Sequence, residues 1–156
     1  MDELASRGVI HAEFVTIDAF LDDSSALVEK RFKSNLEIKL IQHPTFSHRH
    51  YKALSVNALC SLLNDGKSEY FDFIYVDGSH KSPDTLTDAV LCFHALRVGG
   101  VMVLDDYAWR YGQTLSGDFL DVPKLAIDSF VNCFWNKIEI IHGFPIYQIY
   151  IRKTKS

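Results

Sequence analysis

In the middle of the chain, the apolar residues follow a strand pattern, then a helical pattern, and then a strand pattern again. Phe71–Val76 is a short apolar run rich in β-forming residues, and Val101–Leu104 is a second one. Between them, five apolar residues recur at helical spacing: Leu86, Ala89, Val90, Phe93 and Leu96. A strand, a helix and a second strand in this order form a βαβ unit. The two strands are therefore predicted to be parallel, with a right-handed crossover.

Polar residues and glycines predict where this helix begins and ends. Ser82 is a candidate N-cap, and Pro83 suits the first helical position, where a backbone N–H is not needed. Gly99-Gly100 is typical of a helix C-terminus. The pattern therefore predicts a helix that is closed by the glycine pair.

A fainter unit of the same kind precedes this one. Phe14–Ile17 is predicted to be a strand, and Ser24 or Ser25 opens a helix. Four apolar residues of that helix are expected to face inwards: Leu27, Val28, Phe32 and Leu36. His50–Ser55 is the next predicted strand, while residues 38–49 show no clear pattern. A further helix carries three apolar residues on one face: Leu59, Leu62 and Leu63.

The C-terminal part of the chain is predicted to form a helix followed by two antiparallel strands. Asp121 and Pro123 begin a predicted helix with five apolar residues: Leu125, Ala126, Phe130, Cys133 and Phe134. Two strands follow, Lys137–Ile141 and Ile146–Ile151, on so short a connection that they must be antiparallel. The predicted fold class is α/β, with a mostly parallel sheet, a C-terminal antiparallel hairpin and one domain over residues 1–156.

Composition narrows the function classes. The chain is 47% apolar and 23% charged with a net charge of −4, which gives no indication of a nucleic-acid or anionic-membrane surface. No apolar stretch reaches membrane-spanning length, and the first residues do not resemble a signal peptide. Three widely spaced cysteines, each among apolar neighbours, are expected to be buried thiols: Cys60, Cys92 and Cys133. The expected location is cytoplasmic.

Carboxylates follow three of the predicted strands. Asp18 follows the first, Asp77 the middle one, and the pair Asp105 and Asp106 the next. A single aspartate in such a place is usually a turn or cap residue. However, ligands of open parallel sheets bind beyond the carboxyl ends of the strands, and like charges on one edge repel each other. Oxygen ligands of this kind suit a hard cation such as Mg2+.

Histidines and aromatic residues offer further candidates. His80 lies three residues beyond Asp77 and is either a general base or a hydrogen-bonding residue at the helix entry. Three other histidines match no tetrahedral metal motif and are predicted to be solvated loop residues: His43, His48 and His50. Three aromatic residues either wall a substrate pocket or pack a lid loop: Tyr107, Trp109 and Tyr111.

The segment with both carboxylate turns is YFDFIYVDGSHKSPDTLTDAVLCFHALRVGGVMVLDDYAW. It resembles the second half of class I S-adenosylmethionine-dependent methyltransferases, in the branch with DGSH and DDY segments that is similar to metal-dependent small-molecule O-methyltransferases. Earlier segments resemble the family's second and third strands with their helices: FVTIDAF, LVEKRFKSNL and YKALSVNALCSLL. The resemblance implies a Rossmann-like sandwich that transfers a methyl group from a sulfonium to the hydroxyl group of a small-molecule acceptor.

The resemblance also implies roles for individual residues. His80 would be the catalytic base. The implied cofactor-binding residues are Asp18 at the ribose, Ser55 and Asn57 near the adenine, and Asp77 and Gly78 at the middle turn. The implied Mg2+ ligands are Asp77, Asp105 and Asp106.

The sequence departs from the family at the front. Residues 1–9 resemble the end of a helix, and the family's first strand and Gly-rich turn have no counterpart, so an N-terminally truncated fold is expected. In the family's sheet that strand is central, which leaves a gap to be closed or filled. Two alternatives to an active methyltransferase follow: a non-catalytic remnant, or a scaffold completed by a partner chain or a homo-oligomer. A nucleotide-binding module on the same architecture is a third reading.

Overall fold

The computed structural model describes residues 1–20, 25–109, 119–141 and 147–156. The described helices are α1 (Asp2–Ser6), α2 (Ser25–Gln42), α3 (Ser55–Asn64), α4 (Ser82–Ala95) and α5 (Lys124–Phe134). The described strands are β1 (Ala12–Ile17), β2 (Phe46–Tyr51), β3 (Phe71–Val76), β4 (Leu96–Leu104), β5 (Ile138–Ile141) and β6 (Ile149–Lys153). Two compact units can be separated, Met1–Ser55 and Val56–Ser156.

The first unit contains a two-stranded parallel sheet. β1 and β2 pair in register from Ala12 with Phe46 to Ile17 with Tyr51. Phe46 is buried, and its ring lies 5.7 Å from that of Phe14 on the neighbouring strand. α2 packs on β2 and connects the two parallel strands, as a helical crossover requires.

Two predictions for the first unit are wrong. The strand predicted at His50–Ser55 starts instead at Phe46 and ends at Tyr51, because α2 continues through residues 38–42. Leu27 and Val28 were expected to face inwards, but their side chains are 56% and 50% exposed. The partly buried apolar residues of α2 lie further along the helix.

The second unit contains a four-stranded sheet in the order β3-β4-β6-β5. β3 and β4 are parallel, whereas β6 runs antiparallel to both β4 and β5. The predicted βαβ unit and the predicted C-terminal antiparallel hairpin are therefore both confirmed. β3 and β5 are the two edge strands among the described residues of this sheet.

Aromatic packing between α4 and α5 forms the centre of this unit's core. The ring of Phe93 on α4 lies 6.0 Å from that of Phe130 and 4.6 Å from that of Phe134. Beneath them, the sheet contributes buried apolar side chains: Met102, Val103, Leu104 and Ile151. Of the three cysteines only Cys92 is buried, so the prediction of buried thiols is wrong for Cys60 and Cys133.

The end of α4 differs from the prediction. The helix ends at Ala95, since Leu96 has an extended backbone and pairs with Phe71 as the first residue of β4. The next pair in the ladder is Phe73 with Val101, so the residues between form a bulge on β4. Gly99, with a φ of +84°, belongs to this bulge and not to a helix terminus.

Lys153 on β6 supplies the cap that the glycines were expected to provide. Its side chain is 1% exposed, and its Nζ donates hydrogen bonds to the carbonyl oxygens of Phe93 and Leu96 at 3.0 and 2.9 Å. A cation at this end of α4 also interacts favourably with the helix dipole. The C-terminal strand therefore fixes where α4 stops.

The exposed face of the second sheet carries aromatic side chains at its edge. Phe73 and Tyr75 on β3 are 59% and 47% exposed.

No helix in the described part of the chain is both long and apolar enough to cross a membrane.

Candidate functional site

The ends of β3 and β4 bring two acidic turns together. The backbone N–H of Asp105 donates to the carbonyl oxygen of Val76 at 3.0 Å, so the two parallel strands end at the same level. Asp77 follows the first strand, and Asp105 and Asp106 follow the second. The prediction that these turns share one edge is confirmed for the second unit.

Three side chains converge at this edge. One ligand atom each of Asp77, His80 and Asp106 lies within 4.8 Å of the others, which makes them the group able to hold a metal ion among the described residues. His80 Nε2 lies 2.8 Å from Asp106 Oδ2. The His80 side chain is 35% exposed and the Asp106 side chain 16%, so both remain accessible to a bound molecule.

Electrostatics at this edge favour a cation. Partial burial raises the pKa of Asp77, and the negative charges of Asp105 and Asp106 raise it further, while His80 acts in the opposite direction. Asp77 is an exposed residue, so solvent screens these charges, but their repulsion still favours a positive partner. The two carboxylates fit a hard divalent cation such as Mg2+, whereas imidazole is a ligand of transition metals, so His80 would stay available as a base.

Asp106 has a left-handed backbone. Its φ is +58°, a region that residues other than glycine adopt at a cost, although aspartate tolerates it better than most. Non-glycine residues in this region cluster at functional sites, where the surroundings hold them in place. Here the conformation places the Asp106 carboxylate next to His80.

Asp105 is held by a separate set of donors. Tyr75 Oη donates to Asp105 Oδ2, while Gln148 Nε2 and the Asp106 N–H donate to Asp105 Oδ1 at 3.0 and 2.8 Å. Burial would raise the pKa of Asp105, but these hydrogen bonds outweigh it and lower that pKa. The same contact with Asp105 raises the pKa of Tyr75.

The turn after β3 is tied to α4. Thr85 Oγ1 is 2.8 Å from the carbonyl oxygen of Ser79, to which it donates, and 3.1 Å from that of Lys81. Ser82 does not cap the helix as predicted, because Lys81 is the N-cap and Ser82 Oγ donates to the carbonyl oxygen of Val122. These contacts orient the turn that carries His80.

Gly78 lies close to α4. A Cβ atom at this position would be 3.1 Å from Asp88 Oδ2, tighter than most real Cβ contacts. Asp88 is buried and lines the same cavity as Asp77, His80 and Asp106. A glycine therefore lets the backbone of the turn approach the helix closely.

An aromatic ring stacks on the candidate base. The Trp109 ring lies 4.0 Å from the His80 imidazole at an interplanar angle of 21°. The backbone N–H of Trp109 donates to the carbonyl oxygen of Asp106, which positions the ring after the acidic turn. Tyr107 points elsewhere and donates to Asp128 Oδ1 at 2.9 Å. Tyr111 lies outside the described residues.

The remaining predicted cofactor residues are spread over both units. Asp18 directly follows β1 in the first unit, and its Oδ1 accepts a hydrogen bond from the N–H of Phe20. Ser55 is the first residue of α3 and the last of the first unit, while Asn57 belongs to the second unit and is exposed. Their predicted roles at the ribose and the adenine remain predictions.

The prediction of solvated loop histidines is wrong. His48 and His50 lie on β2, partly buried, with Thr16 Oγ1 2.9 Å from a ring nitrogen of each. His43 follows α2, contacts Asp2 at 2.8 Å and stacks on Phe46. None of the three belongs to the group of possible metal ligands found among the described residues.

Sequence reasoning did not identify Tyr75 or Gln148. Tyr75 precedes Asp77 by two residues on β3, and its alternation with Phe73 gives a weak signal that its side chain shares a face with the edge. Gln148 lies beside the last strand, distant in sequence from both carboxylate turns, and carries no sequence signal.

Comparisons with known proteins support the resemblance. The sequence matches the family described as "Methyltransferase domain" over residues 3–107. A search of curated proteins gives no match.

Solved structures show the same fold. A protein from Corynebacterium glutamicum matches at 12% identity and a TM-score of 0.62, over 93% of this chain and 72% of that one. An O-methyltransferase from Bacillus cereus, solved in complex with SAH, matches at 14% identity and 0.62, over 98% and 78% of the two chains. The likeness confirms the predicted Rossmann-like methyltransferase fold.

A larger protein has the fold as one part. The MycE methyltransferase of the mycinamycin biosynthetic pathway, solved with Mg and SAH, matches at 14% identity and a TM-score of 0.58. The match covers 99% of this chain but 48% of MycE, so the chain spans about half the length of that protein.

Proposed function

Because the chain belongs to this methyltransferase-domain family, we propose that it transfers a methyl group from S-adenosylmethionine to a hydroxyl group of a small molecule, with the assistance of Mg2+. The observation that carries the proposal is the convergence of Asp77, His80 and Asp106 at the ends of two parallel strands. The solved neighbours are consistent with it, since MycE was crystallised with Mg and SAH and also with Mg, SAH and mycinamycin VI.

His80 is the proposed base. As the bond between the methyl carbon and sulfur breaks and the bond to the acceptor oxygen forms, the proton of the hydroxyl group passes to a neutral imidazole nitrogen. Asp106, 2.8 Å from Nε2, orients the ring and stabilises the imidazolium that results. The Trp109 ring stacks on the imidazole and restrains the orientation of the imidazole plane.

The proposed metal ligands are Asp77 and Asp106, and Asp105 is the third acidic residue at the site. A bound Mg2+ would lower the pKa of the acceptor hydroxyl and orient it. The chain's own contribution is alignment, since the carboxylates are fixed by the strand ends and by the turn tied to α4.

The cofactor-binding residues are proposed as the resemblance implies them. Asp18 would accept hydrogen bonds from the ribose hydroxyls, and Asp77 and Gly78 would contact the cofactor from the turn after β3. Ser55 and Asn57 would lie near the adenine.

A binding experiment tests the proposal first. Calorimetric titration of the purified chain with SAH, with and without Mg2+, should give saturable binding. A panel of hydroxylated acceptors should then reveal methyl transfer, and substitution His80→Gln should lower kcat by about 10²- to 10⁴-fold while leaving the affinity for SAH unchanged.

Two controls make the test specific. His94 is an exposed histidine on α4, so His94→Gln should retain full activity. Failure of the folded chain to bind SAH, or full activity of His80→Gln with any acceptor, would refute the proposal.

A second candidate function is a non-catalytic scaffold completed by a partner chain. It is favoured by the edge position of β3 and by the separate two-stranded sheet of β1 and β2. An edge strand with exposed backbone groups is a template for pairing with another strand. Turnover by the purified chain alone would exclude this candidate.

A further inference from the structure

The two neighbouring carboxylates after β4 have different surroundings. Asp106 contributes a ligand atom to the group with Asp77 and His80, and that group does not include Asp105. Asp105 instead receives hydrogen bonds at both of its carboxylate oxygens. The two carboxylates therefore have different hydrogen-bond partners, although both line the same cavity.

The donors to Asp105 come from the neighbouring strands on either side. Tyr75 lies on β3 and donates to Oδ2, and Gln148 lies just before β6 and donates to Oδ1. Gln148 Nε2 also lies 2.8 Å from Tyr75 Oη, and Tyr150 donates to Gln148 Oε1 at 2.5 Å. These four side chains, which we call the Asp105 network, link three adjacent strands: Tyr75, Asp105, Gln148 and Tyr150.

The Asp105 network is joined to the site through the backbone. The third donor to Asp105 is the N–H of Asp106 at 2.8 Å, so the carboxylate holds the peptide unit that joins the two residues. Asp106 then adopts its left-handed backbone, which needs support from its surroundings. An ionised acceptor makes a stronger hydrogen bond to a backbone N–H than a neutral one does.

A carboxylate has room for about four hydrogen-bond donors, and three are already present at Asp105. Direct ligation of a cation by Asp105 would compete with Tyr75 and Gln148 for the same oxygens. The Asp106 carboxylate instead contacts His80 Nε2 at 2.8 Å and accepts a hydrogen bond from the Tyr147 hydroxyl group.

We propose that Asp105 is a positioning residue, held by Tyr75 and Gln148, that fixes the backbone of Asp106 so that the Asp106 carboxylate reaches the metal site beside Asp77. The inference rests on the proposed Mg2+ site and divides the roles of its acidic pair. Asp106 acts on the metal directly, and Asp105 acts through the peptide unit between them.

A set of matched variants tests the proposal with Mn2+ as the probe, its affinity being measured by electron paramagnetic resonance. In Asp105→Asn, the amide oxygen still accepts the Asp106 N–H and the Gln148 amide, so the affinity should fall only a few-fold. Asp105→Ala removes the acceptor of the Asp106 N–H, so the Mn2+ affinity should fall about 10- to 100-fold. Losses of this size follow when residues that hydrogen-bond to metal ligands are removed. Asp106→Asn should reduce the Mn2+ affinity at least as much as Asp105→Ala does.

Tyr75 and Phe73 provide a second matched pair. Tyr75→Phe removes one donor to Asp105 and should weaken Mn2+ binding, although Tyr75 lies outside the metal-ligating group. Phe73→Leu changes an exposed residue on the same face of β3 without a hydrogen bond and should leave the affinity unchanged. If Asp105→Asn binds as weakly as Asp105→Ala, or if Tyr75→Phe binds as the wild type, the proposal is overturned.

A readout without metal separates this inference from the proposed function. If the wild-type chain binds no Mn2+, the proposed metal site is refuted. The NMR chemical shifts of the Asp106 amide and Cα then test whether Asp105 positions the Asp106 backbone. Shifts that move in Tyr75→Phe and Asp105→Ala but not in Phe73→Leu support positioning. Unchanged Asp106 shifts in the first two variants overturn it.

Discussion

Thr16 on β1 contacts two histidines on β2, and its single hydroxyl proton limits which hydrogen bonds can form. Its Oγ1 lies 2.9 Å from His48 Nε2 and from His50 Nδ1, but a hydroxyl group carries one proton. It can therefore donate to one ring and accept from the other when both are neutral. Phe32 packs against both rings, with centroids 5.8 and 5.3 Å away.

This arrangement makes the stability of the first unit dependent on pH. Burial lowers the pKa of His48 below 6.5, and the nearby His50 lowers it further. Because the folded form takes up the proton less readily than the unfolded form, the free energy of unfolding should fall as the pH drops below about 6.5. The contribution is fully present above that value.

Urea unfolding followed by far-UV circular dichroism at pH 7.5 and pH 5.5 checks this prediction. His48→Gln should show a smaller loss of stability between the two values than the wild type. His11 is exposed, so His11→Gln serves as the control and should behave as the wild type. An equal pH dependence in His48→Gln and the wild type would contradict the prediction.

At the scale of elements, the junction between α4 and β4 depends on two glycines for different reasons. Gly99 needs a positive φ of +84° but has open space around it. Gly100 lacks space: a Cβ atom there would lie 2.9 Å from the Arg97 carbonyl oxygen and 3.0 Å from that of Asp72. Backbone atoms of the bulge cannot move aside as a flexible side chain could.

Substitution of each glycine by alanine should therefore have unequal costs. Gly99→Ala should reduce the free energy of unfolding by about 1–2 kcal/mol, the cost of a left-handed backbone for alanine. Gly100→Ala should cost more, on the order of 3 kcal/mol, because overpacking displaces the strand. Urea unfolding monitored by tryptophan fluorescence measures both, and a Gly100→Ala variant as stable as Gly99→Ala would contradict the bulge.

At the scale of the whole molecule, β3 presents both an edge and exposed aromatic side chains. The strand pairs only with β4 in the described part of the sheet, and Phe73 is 59% exposed. Edge strands of this composition promote self-association unless they are charged or covered. The chain should therefore associate in a concentration-dependent manner.

Phe73→Lys should reduce that association, because a lysine on the edge opposes strand pairing. Sedimentation velocity over a range of concentrations measures the effect. Trp135 is 66% exposed but lies in the short 3₁₀ turn Trp135–Lys137 and not on a strand, so Trp135→Lys is the control. If both substitutions reduce association equally, exposed apolar area and not the edge is responsible.

Local patterns determined much of the fold. The β-rich run at Phe71–Val76, the helical spacing after it and the second apolar run predicted the parallel βαβ unit, and the acidic turns that follow both strands located the edge. This information is local, because the period of apolar residues reports the element and the residue after a strand reports its end. The resemblance to methyltransferases depends on the same turns.

Tertiary structure alone decided which faces are buried and which polar groups meet. Leu27 and Val28 have the right spacing but no covering surface, and Leu96 leaves the helix because β3 offers a strand to pair with. Tyr75 and Gln148 meet Asp105 only because β6 lies beside β4. Burial and hydrogen bonding depend on partners distant in the chain, so no local pattern carries them.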